Sequence, residues 1–380
     1  MNFNLAKAEQ DLGETSEESQ APPPEGKPLS ALVRHDNNDP NELLRHRYLC
    51  RGAGLLLVGP TGIGKSSLSM QAMILWAIGR PMFGIEPAKP LKSLLIQAEN
   101  DEGDLAEMRD GVMAGLNLTA EEREMAMKNV IVAREDARTS FNFFGEAVRP
   151  LLEQHKPDLL WIDPALAYLG GEANSQKDVG EFLRNLLNPL LREFNCAAIV
   201  VHHTNKPPSG KEKSDWSAGD FAYLGSGSSE WANWARAVLA VRSLGSNLVF
   251  ELRAGKRGGR LGWKEEDGET KSYLKLIAHA KEPGVICWRE AEADDMPEPA
   301  SAKRVATKED IMPHVPVVGT ISKDALRLKA NTAGIAINRI NSLIVALIDE
   351  GQLHEWRVNR PGTNPRRLIS RIPQPKEGLV

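Results

Sequence analysis

The sequence predicts an α/β domain on a mainly parallel sheet, followed by a small winged helix-turn-helix domain. Three observations carry this. Short aliphatic runs alternate with helical stretches from Leu43 to Trp288; a complete phosphate-loop pattern lies between one such run and a helix; and the last part of the chain reads as helices followed by two basic strand-like pieces.

Taken in order, residues 1–40 carry clustered polar residues and prolines without periodic hydrophobicity, and are expected to be a mostly disordered tail. Residues 41–290 are expected to form the α/β domain, with strands near Leu55–Val58, Ser93–Gln97, Val130–Ala133, Leu159–Ile162, Ala197–Val201, Val238–Val241 and Leu248–Arg253. An acidic, proline-containing linker spans 291–304, and the winged domain spans 305–373. There, Ile337, Ile340, Ile344 and Leu347 recur at helical spacing, Gly351 closes the helix, and Asn331–Asn341 are expected to open a recognition helix. Arg357, Arg360, Arg366 and Arg367 would dress the wing as phosphate contacts. Protein contacts or a subunit clamp are the other uses of such a domain.

Composition limits the function classes. At 41% hydrophobic residues the chain can bury a core, no apolar run reaches membrane-spanning length, and the first residues lack the basic and apolar parts of a secretion signal. A cytoplasmic protein without a membrane partner is expected. Cys50, Cys196 and Cys287 give neither a disulfide framework nor a zinc spacing. The net charge of −4 is unevenly placed: residues 303–371 hold 12 Lys and Arg against 6 Asp and Glu, a basic module on an acidic body.

The chemistry starts at Gly59-Pro60-Thr61-Gly62-Ile63-Gly64-Lys65-Ser66, followed by Ser67 and an amphipathic-looking helix over Ser67–Ile78. Such a loop turns its backbone N–H groups inward around phosphate oxygens. Lys65 would reach the β- and γ-phosphates of ATP, and the Ser66 hydroxyl would ligate Mg²⁺. Asp163 ends the aliphatic run "LLWID" and is expected to hold the magnesium shell through water. Hydrolysis also needs a group that orients or deprotonates water, and Glu99 stands at the end of "SLLIQ", with Asn100, Asp101 and Glu102 as neighbouring alternatives.

The order "GPTGIGKSS", "IQAEND", "LLWIDPALAYLGG", "IVVHHTNK" and "GSGSSEWANWAR" resembles the RecA-like ATPases, specifically the hexameric plasmid-replication helicases of the RepA type and related AAA-type ATPases, over about residues 43–265. The resemblance implies a RecA-like core, ATP hydrolysed at subunit interfaces of a homo-oligomer, a hexamer for preference, and single-stranded DNA in a central channel. It makes Glu99 the catalytic carboxylate and Asp163 the Walker B aspartate, and sets His202 and His203 where the family senses the γ-phosphate. It also implies that the following loop, with Lys206, Lys211 and Lys213 among Trp216, Phe221 and Tyr223, faces DNA. Finally it implies a cation reaching the neighbouring subunit's γ-phosphate, either Arg257 or Lys256; the family's lysine-x-arginine spacing is here Lys256-Arg257. An ATP-hydrolysing DNA motor fits all of these features. An ATP-switched DNA-binding initiator, regulator or recombination mediator fits most, and a small-molecule phosphotransferase fits fewest, having no use for a basic winged domain.

Overall fold

In the computed structural model, the chain divides into two units, residues 1–295 and 296–380. The structure describes residues 26–34, 39–204, 227–244, 249–296, 306–360 and 363–375. Most of the expected disordered tail lies outside them; of it, a single 3-10 turn is described at Leu29–Ala31.

The first unit opens with a small antiparallel pair, β1 (Glu42–Leu44) and β2 (Leu49–Cys50). The strands β3 (Gly54–Gly59), β4 (Ser93–Gln97), β5 (Val130–Arg134), β6 (Leu159–Asp163), β7 (Ala197–His203), β8 (Ala237–Ser243), β9 (Val249–Ala254), β10 (Leu274–His279) and β11 (Trp288–Glu290) form one nine-stranded sheet. Its order is β11-β10-β9-β8-β3-β7-β6-β4-β5. Neighbours from β8 through β5 are parallel, and β9, β10 and β11 add an antiparallel extension beyond β8.

Side chains alternate across a strand, and here the alternation sorts residues into two cores. Leu55, Leu57, Leu95, Leu159, Trp161, Ile199, Val201 and Leu239 enter the core shared with the helices α1 (Lys65–Ala77), α2 (Glu102–Ala114) and α3 (Ala120–Asn129). Leu56, Val58, Leu94, Ile96, Leu160, Ile162, Ala198, Val200 and Val238 enter the other, against the helical stretches 140–155 and 176–193. Strands buried on both faces explain the continuous aliphatic runs of the sequence. By the same alternation the odd-numbered ends of β4, β6 and β7, namely Gln97, Asp163 and His203, come to the α1 side.

Two expectations need correction here. The helix after the phosphate loop is not amphipathic: Ser67, Ser69 and Gln71 are buried along with the apolar residues, since α1 lies between the sheet and its neighbouring helices. The antiparallel strands β10 and β11 were not expected. β10 is only partly buried and β11 has three residues, so neither makes an aliphatic run.

In the second unit, a short helix Lys308–Ile311, the strand β12 (Ile321–Ser322) and the helices Lys323–Thr332 and Ile337–Asp349 precede a hairpin of β13 (His354–Arg360) and β14 (Thr363–Ser370). The strand order is β12-β14-β13. Leu326, Ile340, Ile344, Leu347, Leu353 and Ile369 fill its core. Ile337 does not join them and is 53% exposed, because it is the first helical residue and lies past the edge of the apolar stripe. The expected opening of the recognition helix at Asn331 is displaced too: Asn331 and Thr332 end the preceding helix, and the next begins at Ile337. Gly351 ends that helix at φ 72°, a left-handed position suited to glycine.

Candidate nucleotide site

The site forms where β3 passes into α1. Gly59 is required by close approach, since a Cβ there would lie 2.8 Å from Ile63 Cδ1 and 2.9 Å from the Val241 carbonyl oxygen. Gly64 caps α1 at φ 87°, and a Cβ on it would stand 2.9 Å from the Trp288 ring. Pro60, Thr61, Gly62 and Ile63 complete the loop between these two points.

Lys65 is buried, and its ammonium donates to the carbonyl oxygens of Gly59 (2.9 Å) and Pro60 (2.8 Å) and to His203 Nδ1 (3.1 Å). A lysine ammonium can only donate, so His203 Nδ1 accepts and its Nε2 carries the proton. Burial first, and the adjacent Lys65 second, hold His203 below the usual imidazole range, which keeps it neutral. Thr61 Oγ1 is 3.4 Å from the same nitrogen. Burial lowers the Lys65 ammonium to about 8, against the opposing pull of Asp163 and Glu99.

Asp163 accepts a 2.9 Å hydrogen bond from Ser66 Oγ and is buried, which pushes its carboxyl up to about 6 despite Ser66 and Lys65. A hydroxyl and a carboxylate side by side are hard oxygen donors of the kind Mg²⁺ selects, and a buried carboxylate with one donor partner gains most from a cation. Ser66 and Asp163 therefore fit the expected Mg²⁺, which would neutralise charge on the phosphate oxygens. Among the described residues no cluster of three or more His, Cys, Asp or Glu is placed to hold a metal ion alone, so the remaining ligands would be phosphate and water.

Glu99 lies two residues beyond β4, whose Gln97 is in register with Asp163. It is exposed, its backbone N–H donates to Gln97 Oε1 (2.7 Å), and its charge acts on Lys65, Asp163 and His203 together. Its neighbour Asp101 is engaged elsewhere. It caps α2 reciprocally with Asp104.

Several expected residues fall elsewhere. His202 is fully buried on the opposite face from His203 and stacks on Trp231, with centroids 4.4 Å apart. Strand alternation sends it away from the phosphate loop, which removes it from the γ-phosphate. Lys256 and Arg257 follow β9, at the end of the sheet remote from the loop, where Gly255 N–H donates to Val238 O. The Lys256 ammonium donates to the carbonyls of Ala232 (2.5 Å), Asn233 (3.2 Å) and Ala235 (3.3 Å), and Arg257 donates to Arg47 O (2.8 Å). Neither reaches the loop of its own chain. Lys206, Lys211 and Lys213 lie outside the described residues, as does the side chain of Arg360. Arg357, Arg366 and Arg367 are exposed on the hairpin of the second unit.

A clamp over α1 was not foreseen. Gln71 donates to Trp288 O (2.8 Å) and accepts from Trp288 N–H (2.6 Å), and Trp288 Nε1 donates to Ser67 Oγ (3.0 Å). His279 packs on the Trp288 ring at 3.9 Å. The antiparallel extension thereby fixes the first turns of α1. A glutamine amid the apolar residues of a buried helix was the available signal.

The raised Asp163 carboxyl has a measurable cost. Its folded value near 6 exceeds the unfolded 3.8, so the folded chain binds more protons between these values and loses stability as pH rises through that window. Below the window the cost is absent, and above it the cost is complete. At about 1.4 kcal/mol per pH unit this approaches ~3 kcal/mol. Asp163→Asn keeps an acceptor for Ser66 without the charge and is expected to raise ligand-free stability at pH 7 by about 1–3 kcal/mol. Denaturant titrations at pH 7 and pH 4 should show the gain shrinking towards zero at the lower pH; a constant difference would contradict it.

Residues 21–209, slightly less than half of the chain, match the family described as AAA domain. No curated protein matches the sequence. Among solved structures, the chain is similar to the RadB recombinase, with 15% identity, a TM-score of 0.39, and coverage of 64% of this chain and 92% of that one. It is similar also to a KaiC-like protein from the hyperthermophilic archaeon Pyrococcus horikoshii OT3, with 17% identity, a TM-score of 0.40, and coverage of 63% and 91%. Among the described residues no helix is long and apolar enough to cross a membrane. The AAA-domain match, added to the loop that holds Lys65 and Ser66 beside Asp163, supports a P-loop ATPase that binds nucleotide.

Proposed function

We propose that the chain is an ATP-hydrolysing RecA-like DNA motor, a replicative helicase of the RepA type or a DNA translocase, working as a homo-oligomer with a hexamer favoured. The observation that supports it most is the meeting of Lys65, Ser66, Asp163, His203 and the charge of Glu99 at one end of the parallel strands. In this reading the loop amides and Lys65 would hold the β- and γ-phosphates, Ser66 would hold Mg²⁺ directly and Asp163 would hold it through water, and Glu99 takes the proton of the attacking water. His203, bonded to Lys65, registers loss of the γ-phosphate by exchanging that bond.

The DNA part of the reading rests on the second unit, taken as a winged helix-turn-helix. Arg357 and Arg367 are partners across the hairpin, Val358 and Arg366 are the next pair, and Glu355 lies 3.8 and 3.7 Å from the guanidinium nitrogens of Arg357 and Arg367. Like charges placed opposite each other cost stability, and one carboxylate offsets two cations only in part. A phosphate backbone would complete the balance.

ATP hydrolysis measured without DNA, with single strands and with duplex, alongside the mass of the assembly, tests the proposal. A several-fold stimulation by single strands in an assembled oligomer is expected. Tight ATP-dependent duplex binding without stimulation would replace the motor by an ATP-switched DNA-binding protein. Arg257, remote from its own loop, would then be tested as the trans-acting cation: Arg257→Ala should lower turnover about tenfold or more, and mixing with Lys65→Ala chains should restore part of it. No recovery at any ratio would remove Arg257 from that role.

A further inference from the structure

A cavity of about 570 Å³ opens at the start of β3, at the end of that strand opposite Gly59. Gly52, Ala53 and Gly54 form one wall, and Arg184, Arg192, Arg236, Lys256 and Arg257 converge on it from separate segments. Among the described residues no carboxylate lines it. Glu230 reaches Arg184 from outside the lining and offsets one of the five cations.

The cations differ in what they already do. Lys256 is spent on three carbonyls and Arg257 on one, whereas the side chains of Arg192 and Arg236 make no hydrogen bond or ion pair among the described residues, and both are exposed. Burial, then Arg236 and Arg184, lower the Lys256 ammonium, a sign that positive charge here is under-compensated. Such a concave cluster matches the chemistry of an anion with several oxygens.

We propose that this cavity is a second phosphate-binding site, built for the phosphate tail of a nucleotide and separate from the phosphate loop. The lining favours that ligand over a nucleic-acid strand. Among the described residues its one aromatic, Trp234, is buried and donates its indole N–H to Asn188 Oδ1 (2.9 Å), so no aromatic face is offered to a base. A compact, multiply charged tail also suits five cations converging on one concavity better than an extended backbone does. The phosphates have two possible sources, free nucleotide or nucleotide seated on the phosphate loop of a second copy. Only the second source rests on the proposed function.

The test uses the full chain carrying Lys65→Ala and inorganic tripolyphosphate as the probe, titrated by calorimetry at low salt. A free ligand predicts one equivalent bound, with affinity falling at least tenfold when Arg192→Ala and Arg236→Ala are added. Both side chains are exposed and without protein partners among the described residues, so thermal unfolding should not change. A ligand held by a second copy predicts silence in that titration. In its place, Arg192→Ala with Arg236→Ala on an intact phosphate loop would lower ATP turnover about tenfold at concentrations where copies associate, and not on dilution. The proposal is overturned if both readouts are unmoved, or if an oligonucleotide displaces the probe at lower phosphate concentration than tripolyphosphate itself. Failure of the unaltered chain to bind ATP would count against the phosphate-loop reading and leave the tripolyphosphate result standing.

Discussion

Lys65→Ala is expected to weaken ATP binding by about 10²–10⁴-fold and to bring turnover to background. Lys65 stands where a phosphate would take over the ammonium now bonded to Gly59 O, Pro60 O and His203 Nδ1. Two charge-assisted hydrogen bonds to phosphate oxygens, at about 1.5–3 kcal/mol each, give that range. The lowered ammonium, near 8, is still mostly protonated at pH 7, and a bound triphosphate would raise it again, so binding should take up protons above pH 8 in the unaltered chain. Calorimetry in two buffers of different ionisation enthalpy reads that uptake. A Lys65→Ala chain that binds ATP within threefold of the parent would show that the ammonium does not meet phosphate.

Much of this site was legible because loop, strand end and strand end are each local patterns. Gly59 to Ser66 can be read from spacing, and Asp163 and Glu99 from their places after aliphatic runs. Strand parity did further work: once Ala197–His203 is a strand, only one of two adjacent histidines can share a face with the phosphate loop, and the structure makes it His203. The choice between them needed the partner strand β3, because parity alone does not say which face carries α1.

What was not legible depended on contacts between distant segments. Gln71 and Trp288 are 217 residues apart in sequence, and the polar clamp they form has no local signature. The basic cavity gathers Arg184, Arg192, Arg236, Lys256 and Arg257 from three stretches, of which only the one holding Lys256 and Arg257 is basic by itself. In the second unit, helical spacing picked out Ile340, Ile344 and Leu347 but also Ile337, since periodicity continues past the point where the stripe leaves the core.

Glu99→Gln is expected to separate binding from chemistry: ATP affinity should be unchanged or slightly tighter, and hydrolysis about 10²–10⁴-fold slower. The amide matches the carboxylate in size but cannot accept the proton of an attacking water, and loss of a general base costs in that range. Affinity should not fall, because the Glu99 charge opposes a triphosphate while contributing no hydrogen bond to the side chains of Lys65 or Asp163. The same charge raises both the Asp163 carboxyl and the His203 imidazole, so its removal should shift both downward, which an NMR titration of His203 would follow. Asp101→Asn is the control. Asp101 caps α2 through Asp104 N–H at 2.8 Å, so its replacement should cost at most about 1 kcal/mol of stability and leave hydrolysis nearly intact. If instead Asp101→Asn stopped turnover while Glu99→Gln did not, the base would lie two residues further along the chain, and the capping carboxylate would have to leave α2 to act.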